Sequence, residues 1–240
     1  MRKFLVIVFC SFGFLYGFDH THASYDAQLK KFVAKGLVDY KGFLKERDTL
    51  KKYLNSLSEV SLTEYNGFTK EQKLAFLINA YNAYTIELIL ENYPVKSIRK
   101  IGILPLAAWR ESFFDLLGER RSLGWIEHEK LRKEFDEPRI HFAIVCASIG
   151  CPILQPEAYT AAKMESQLKS STEQFLLDTT KNRYDKKDNI LFVSSIFDWF
   201  EGDFTKKSTI VGFVKTYMKQ EIPDTAKIKY TYYDWNLNER

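Results

Sequence analysis

The sequence predicts a helix-rich α+β fold in a single domain, and three observations carry that expectation. Apolar residues recur at helical spacing over most of the chain, with only short runs at strand alternation between them. One long segment, opened by Thr69 and stopped by Pro94, is apolar nearly all round, which marks a buried central helix rather than a surface one. The 240 residues are 45% hydrophobic and 28% charged, enough for one substantial core, with no internal repeat or long linker. Eleven Gly and 6 Pro exclude collagen-like and low-complexity classes. The 35 Lys+Arg and 31 Asp+Glu give a net charge of only +4 with the signs interspersed, so no nucleic-acid partner is expected. The 15% of aromatic residues is assigned to core packing.

Taken in order, Arg2 and Lys3 precede an uncharged apolar stretch from Phe4 to about Phe18, too short for a comfortable membrane span. Thr21-His22-Ala23 offers small residues for a cut ahead of Ser24. Residues 1–23 therefore read as a secretory signal peptide and 24–240 as one globular domain. The mature chain is expected to be soluble and exported, periplasmic or extracellular, with no membrane partner after cleavage; an uncleaved anchor is the alternative. Tyr25 to Lys35 predicts a helix ending at Gly36, and Tyr40 to Leu57 another. Thr69-Lys70-Glu71-Gln72 is a capping box that opens the central helix. Ile98 to Trp109 is irregular and Arg121 to Gly124 a turn. Trp125 to Phe135 reads as a helix ending before Pro138. Ile140 to Cys146 is a buried strand or, equally, a buried helix segment, since periodicity does not decide. An amphipathic helix follows Pro156 and Thr160 and reaches about Leu177. Ile190 to Val193 is a strand, Ser195 to Phe200 a turn or two of helix, Ser208 to Lys219 a helix, and Lys227 to Tyr233 a final strand. The sheet is expected to be small.

Four stretches together resemble the domain of unknown function 547 family. They are Phe76-Leu77-Ile78-Asn79-Ala80-Tyr81-Asn82-Ala83; Trp125-Ile126-Glu127-His128 with Leu131-Arg132; Pro138-Arg139-Ile140-His141-Phe142-Ala143 through Cys146-Ala147-Ser148 and Cys151-Pro152; and Ile196-Phe197-Asp198-Trp199 with Asp203-Phe204. Each is weakly specific alone, and their joint order, from about residue 70 to 205, is more so. The resemblance implies little chemistry by itself. A similarity to papain-like or transglutaminase-like cysteine enzymes is expected alongside it, although none of the four stretches carries it.

Of the 3 Cys and 4 His, Cys10, His20 and His22 fall in the expected signal peptide. The rest, His128, His141, Cys146 and Cys151, are confined to one short segment. Four chemistries fit it. In thiol catalysis Cys146 is the nucleophile, His128 the base, and the backbone N–H groups near Ala147 and Ser148 an anion-stabilising element. His141 is five residues from Cys146, on opposite faces of a strand or about 140° apart on a helix, so it is assigned a structural or substrate-binding role. Glu127 adjoins His128 but points elsewhere on a helix; Asn79, Asn82, Asp198 or Asp203 are equal candidates to orient the base. In the second reading Cys146 and Cys151 form a disulfide in an oxidising compartment. In the third the two His and two Cys bind zinc, although their spacing fits no standard zinc motif. In the fourth all four are core residues of a non-catalytic binding module. Asn79 and Asn82, three apart on the central helix, either tie down loop backbone or floor the pocket. Arg139 is a candidate carboxylate binder, or an ordinary ion pair. Ser148 and Cys151 complete the candidate binding set. The expected substrate is a peptide, amide or small thiol-containing ligand, with no cofactor.

Overall fold

The computed structural model describes residues 17–240. The basic start and most of the apolar stretch of the expected signal peptide, with Cys10, lie outside that range. The helix-rich α+β expectation holds, and the centre of the fold is the helix Lys70–Glu91. Its start is fixed as the sequence predicts. The Thr69 hydroxyl accepts from the Gln72 N–H at 3.2 Å, and the Gln72 side chain accepts from the Thr69 N–H at 2.9 Å. Every residue from Leu74 to Leu90 is buried. The charge of Glu87 on this helix is met by Arg47, 2.6 Å away, as a buried carboxylate requires.

Helices Ala23–Phe32, Tyr40–Lys45 and Arg47–Ser58 wrap one side of it. The single helix expected from Tyr40 to Leu57 breaks at Glu46, whose φ of −117° leaves the helical region. On the other side lie a π-helical segment, Trp125–Leu131, and a 3₁₀ turn, Ala161–Lys163. Beyond them the helix Met164–Leu176 packs on the 3₁₀ helix Pro138–Phe142 and on the helix Ile210–Tyr217. The sheet is small: Arg183–Asp185 pairs antiparallel with Ile190–Ser194, which pairs parallel with Lys227–Thr231. The parallel pair requires a long crossover. It is supplied by Ile196–Trp199, Glu201–Thr205 and Ile210–Tyr217.

Two hairpins are absent from the sequence expectations. Phe114–Leu116 pairs with Glu119–Arg121 across Leu117 and Gly118, with φ of 54° and 82°, the left-handed pair that a two-residue hairpin needs. Val33–Ala34 and Leu37–Val38 pair across Lys35 and Gly36 in the same way. Ile140 to Cys146 is neither strand nor α-helix. Pro138 starts a 3₁₀ turn that ends at Phe142, and the chain is irregular from there to Cys151. An irregular buried backbone still needs partners, and a side chain supplies them. Asn82 donates to the Ala143 carbonyl at 3.0 Å and accepts from the Val145 N–H at 2.9 Å.

Phe18 to His22 are packed into the fold. The Phe18 ring lies against Phe68 and Phe76. His22 is 1% exposed, with Nδ1 2.7 Å from the Tyr53 hydroxyl. Among the described residues no helix is long and apolar enough to cross a membrane.

Candidate functional site

A cavity of about 600 Å³ opens where the central helix, the π-helical segment and the irregular chain after Phe142 meet. Cys146, Cys151, Glu127, His128 and His141 all line it. The segment that sequence reasoning singled out therefore converges in space as well as in sequence.

Asn82 fixes Ala143 and Val145 and so aims the next residue, Cys146, at the cavity. Ala147 then turns the chain through a left-handed conformation, φ 55°, which costs a residue with a Cβ about 1 kcal/mol. This bend sets Ser148 beside Cys146, where the Asn238 N–H donates to the Ala147 carbonyl at 3.2 Å. Cys146 and Cys151 are joined as a disulfide, their Cα atoms 6.3 Å apart. The sulfurs sit among donors. Cys151 Sγ accepts from the Cys146 N–H at 2.9 Å, the Tyr233 hydroxyl at 3.0 Å and the Ser148 hydroxyl at 3.4 Å. Cys146 Sγ lies 3.2 Å from the Tyr233 hydroxyl. Burial pushes the Tyr233 phenol up, so it keeps its proton to donate. The N–H groups of Ala147 and Ser148 donate no hydrogen bond among the described residues.

The two histidines differ. His141 is 3% exposed, and its Nε2 is 2.8 Å from Asp203 Oδ2. Its ring stacks on Phe200 at 4.0 Å. Its Nδ1 is buried with no partner among the described residues. Burial lowers its pKa, against the opposing pull of Asp203. Asp203 is itself raised by burial, but hydrogen bonds from His141 and Arg132 outweigh this and hold its carboxyl well below the usual range. His128 is exposed at the cavity. Its Nδ1 faces Arg132 at 3.0 Å, which makes it an acceptor there. Burial and the guanidinium together lower its pKa. The orienting carboxylate sought for His128 thus belongs to His141. The opposite-face and 140° arguments against pairing His141 with Cys146 assumed regular structure, which the irregular chain between Phe142 and Cys146 removes.

Glu127 does not point away as a regular helix requires. On the π-helical segment it lines the cavity together with its neighbour His128; such segments are common at functional sites. It is 6% exposed, and burial, partly countered by Arg132, raises its pKa to about 7. Its partner is the Tyr81 hydroxyl at 3.4 Å, which in turn accepts from Trp109 Nε1 at 3.1 Å.

The remaining candidates are structural. Asn79 is bonded both ways to the backbone of Tyr159, at 2.7 and 2.9 Å, so neither central-helix amide lines the cavity. Arg139 is held by Glu137 and Glu165 at 2.6–2.8 Å and lies away from the cavity. Asp198 does not line it either, although its neighbours Trp199 and Phe200 do. No group of three or more His, Cys, Asp or Glu able to hold a metal occurs among the described residues. Sequence reasoning missed Tyr81, Trp109, Tyr233 and Trp235, which form an aromatic wall with Trp199. The aromatic excess was its only signal.

No curated protein and no solved structure matches the chain. Residues 65–176 match the family model described as "Protein of unknown function, DUF547". The fourth of the resembling stretches, Ile196 to Phe204, lies beyond that match. Over the matched stretch, which holds the central helix, Glu127, both histidines and both cysteines, the chain resembles the DUF547 family.

Proposed function

We propose that the protein is an exported cysteine-dependent hydrolase or acyl or thiol transferase, of papain-like or transglutaminase-like character, acting on a peptide, amide or small thiol ligand. One observation carries this: a potential nucleophile, two histidines and a carboxyl tuned to about pH 7 share one cavity. The disulfide is the resting form. A dithiol reductant opens it, becoming a disulfide itself as Cys146 and Cys151 become thiols. His141 Nδ1 then takes the Cys146 proton, with Asp203 holding the imidazole in place. The thiolate bonds to the substrate's carbonyl carbon, and the Ala147 and Ser148 N–H groups receive the oxyanion. The bond to the departing amine, alcohol or thiol breaks, and that group leaves with the proton from His141. Water, relieved of a proton by Glu127, releases the acyl group and restores the thiol. His128 serves as a cavity wall beside Arg132 and not as the base expected from sequence. Export rests on Arg2-Lys3 and the apolar stretch that follows.

The disulfide also favours a second reading, a non-enzymatic periplasmic binding module in which the Cys146–Cys151 bond is structural. Alkylation separates the two. After reduction, Cys146 is expected to react with iodoacetamide with a pH midpoint below about 8.5, the unperturbed thiol value, and to form a covalent adduct with an activated ester. Cys146→Ser abolishes the adduct. A midpoint at or above 8.5 with no adduct leaves the binding module.

A further inference from the structure

The rim of the cavity carries an exposed apolar loop that the fold does not use. Ile103 is 99% exposed, Leu104 71% and Leu106 49%. They lie in the turn between Ile101 and the short helix Ala107–Arg110. Gly102 and Leu106, at φ of 78° and 62°, shape this turn so that the side chains face outward. Leu106 lines the cavity mouth, while Ile103 and Leu104 do not. Large apolar side chains exposed together are a signature of a surface that something covers.

The charge around them says what. From Asn92 to Arg110 the chain has no carboxylate and four cations, Lys96, Arg99, Lys100 and Arg110. None of the four forms an ion pair among the described residues. Glu111 lies at the base of the loop near Gly102, Glu127 lines the cavity together with Arg99 and Arg110, and Glu239 accepts from Tyr93. Arg99 lies over the Trp235 ring at 5.1 Å, and Trp199, stacked on Trp235 at 5.6 Å, is 46% exposed. Protruding aliphatics, exposed cations without ion pairs on the same segment and a half-exposed tryptophan are the three components of a peripheral membrane contact. The aliphatics enter the acyl region, the cations meet anionic headgroups, and the indole sits at the boundary.

We propose that the Ile103–Leu106 loop docks on an anionic lipid surface and that the cavity behind it takes an acyl-bearing amphiphile from that surface. This names the substrate class for the cysteine chemistry above and rests on that reading; the docking itself does not. It revises the expectation of no membrane partner while keeping the chain free of a span among the described residues.

The test is flotation of the reduced full-length mature protein with phosphatidylglycerol vesicles and with phosphatidylcholine vesicles. Binding to the anionic vesicles is expected and falls as salt is raised from low to physiological ionic strength. The Ile103→Asp/Leu104→Asp pair weakens it by about tenfold or more, since it replaces inserted aliphatics with charges repelled by the headgroups. Neither residue touches the cavity, so adduct formation with a small soluble ester is unchanged in that variant. Cys146→Ser is expected to bind vesicles like the parent, so loss of the chemistry and loss of the docking are read separately. Absence of vesicle binding, or equal binding by parent and double variant, overturns the proposal. So does self-association of the parent in place of vesicle binding, abolished by Leu104→Asp, because the occupant is then a second copy of the chain.

Discussion

At the scale of the residue, the position of Cys146 is set by an amide more than sixty residues earlier in the chain. Asn82 spends both ends of its side chain on Ala143 and Val145. Asn82→Ala strands a buried carbonyl and a buried N–H, and is expected to lower stability by about 2–4 kcal/mol, measured by urea unfolding. The adduct yield at Cys146 should fall with it even where the protein stays folded, because the segment loses the side chain that holds Ala143 and Val145. Glu127 gives a second residue-scale prediction. Its pKa is raised from 4.5 to about 7, so the folded state holds a proton that the unfolded chain releases between those values. Stability from this group is complete below pH 4.5 and is lost as pH rises through 7. Glu127→Gln should remove that slope, leaving the variant more stable than the parent above pH 7 by on the order of 3 kcal/mol. Parallel unfolding curves at pH 4.5 and pH 8 decide it; an unchanged slope means that Glu127 is ionised throughout.

Among the elements, the central helix was readable because its signals are local: a capping box, a continuous apolar surface and a proline stop. The chain around the cysteines was not. Its apolar run has the composition of a strand, yet Asn82 gives it the hydrogen bonds a neighbouring strand supplies, and no pattern within the run records a partner some sixty residues earlier. The π-helical winding of Trp125–Leu131 was equally hidden, and with it the sharing of one cavity by Glu127 and His128. The N-terminal element bears on processing. A cut ahead of Ser24 opens the first turn of Ala23–Phe32 and discards buried His22. A cut after Gly17 keeps Phe18 on Phe68 and Phe76, and turns its N–H, which donates to Glu64 at 3.0 Å, into an ammonium paired with that carboxylate. N-terminal sequencing of protein exported from cells is expected to begin at Phe18; a start at Ser24 rejects this.

Over the whole molecule, the helix-rich fold class and the convergence of the Cys/His segment on one cavity were legible, and the wiring of that candidate site was not. Cysteine and histidine are rare enough that their crowding between His128 and Cys151 pointed to one place. The choice between histidines depended on Asp203, more than sixty residues beyond His141, and sequence spacing carries no trace of such pairings. The aromatic wall was hidden for the opposite reason: aromatic residues are so common here that those facing the cavity cannot be told by composition from those filling the core.

The segment from Tyr233 to Asn238 ties these scales together. Tyr233 donates to the sulfur of Cys151, Leu237 bonds to Lys96, and Asn238 bridges Val38, Tyr40 and Ala147. During synthesis these residues leave the ribosome after everything they fasten. The central helix and its wrapping helices can form while the chain is still growing, but the sulfur cradle stays open until this strap arrives. Emergence of the two cysteines and completion of their surroundings are thus separated in time, an interval in which Cys146 and Cys151 lack the Tyr233 hydroxyl that lies against their sulfurs in the finished fold.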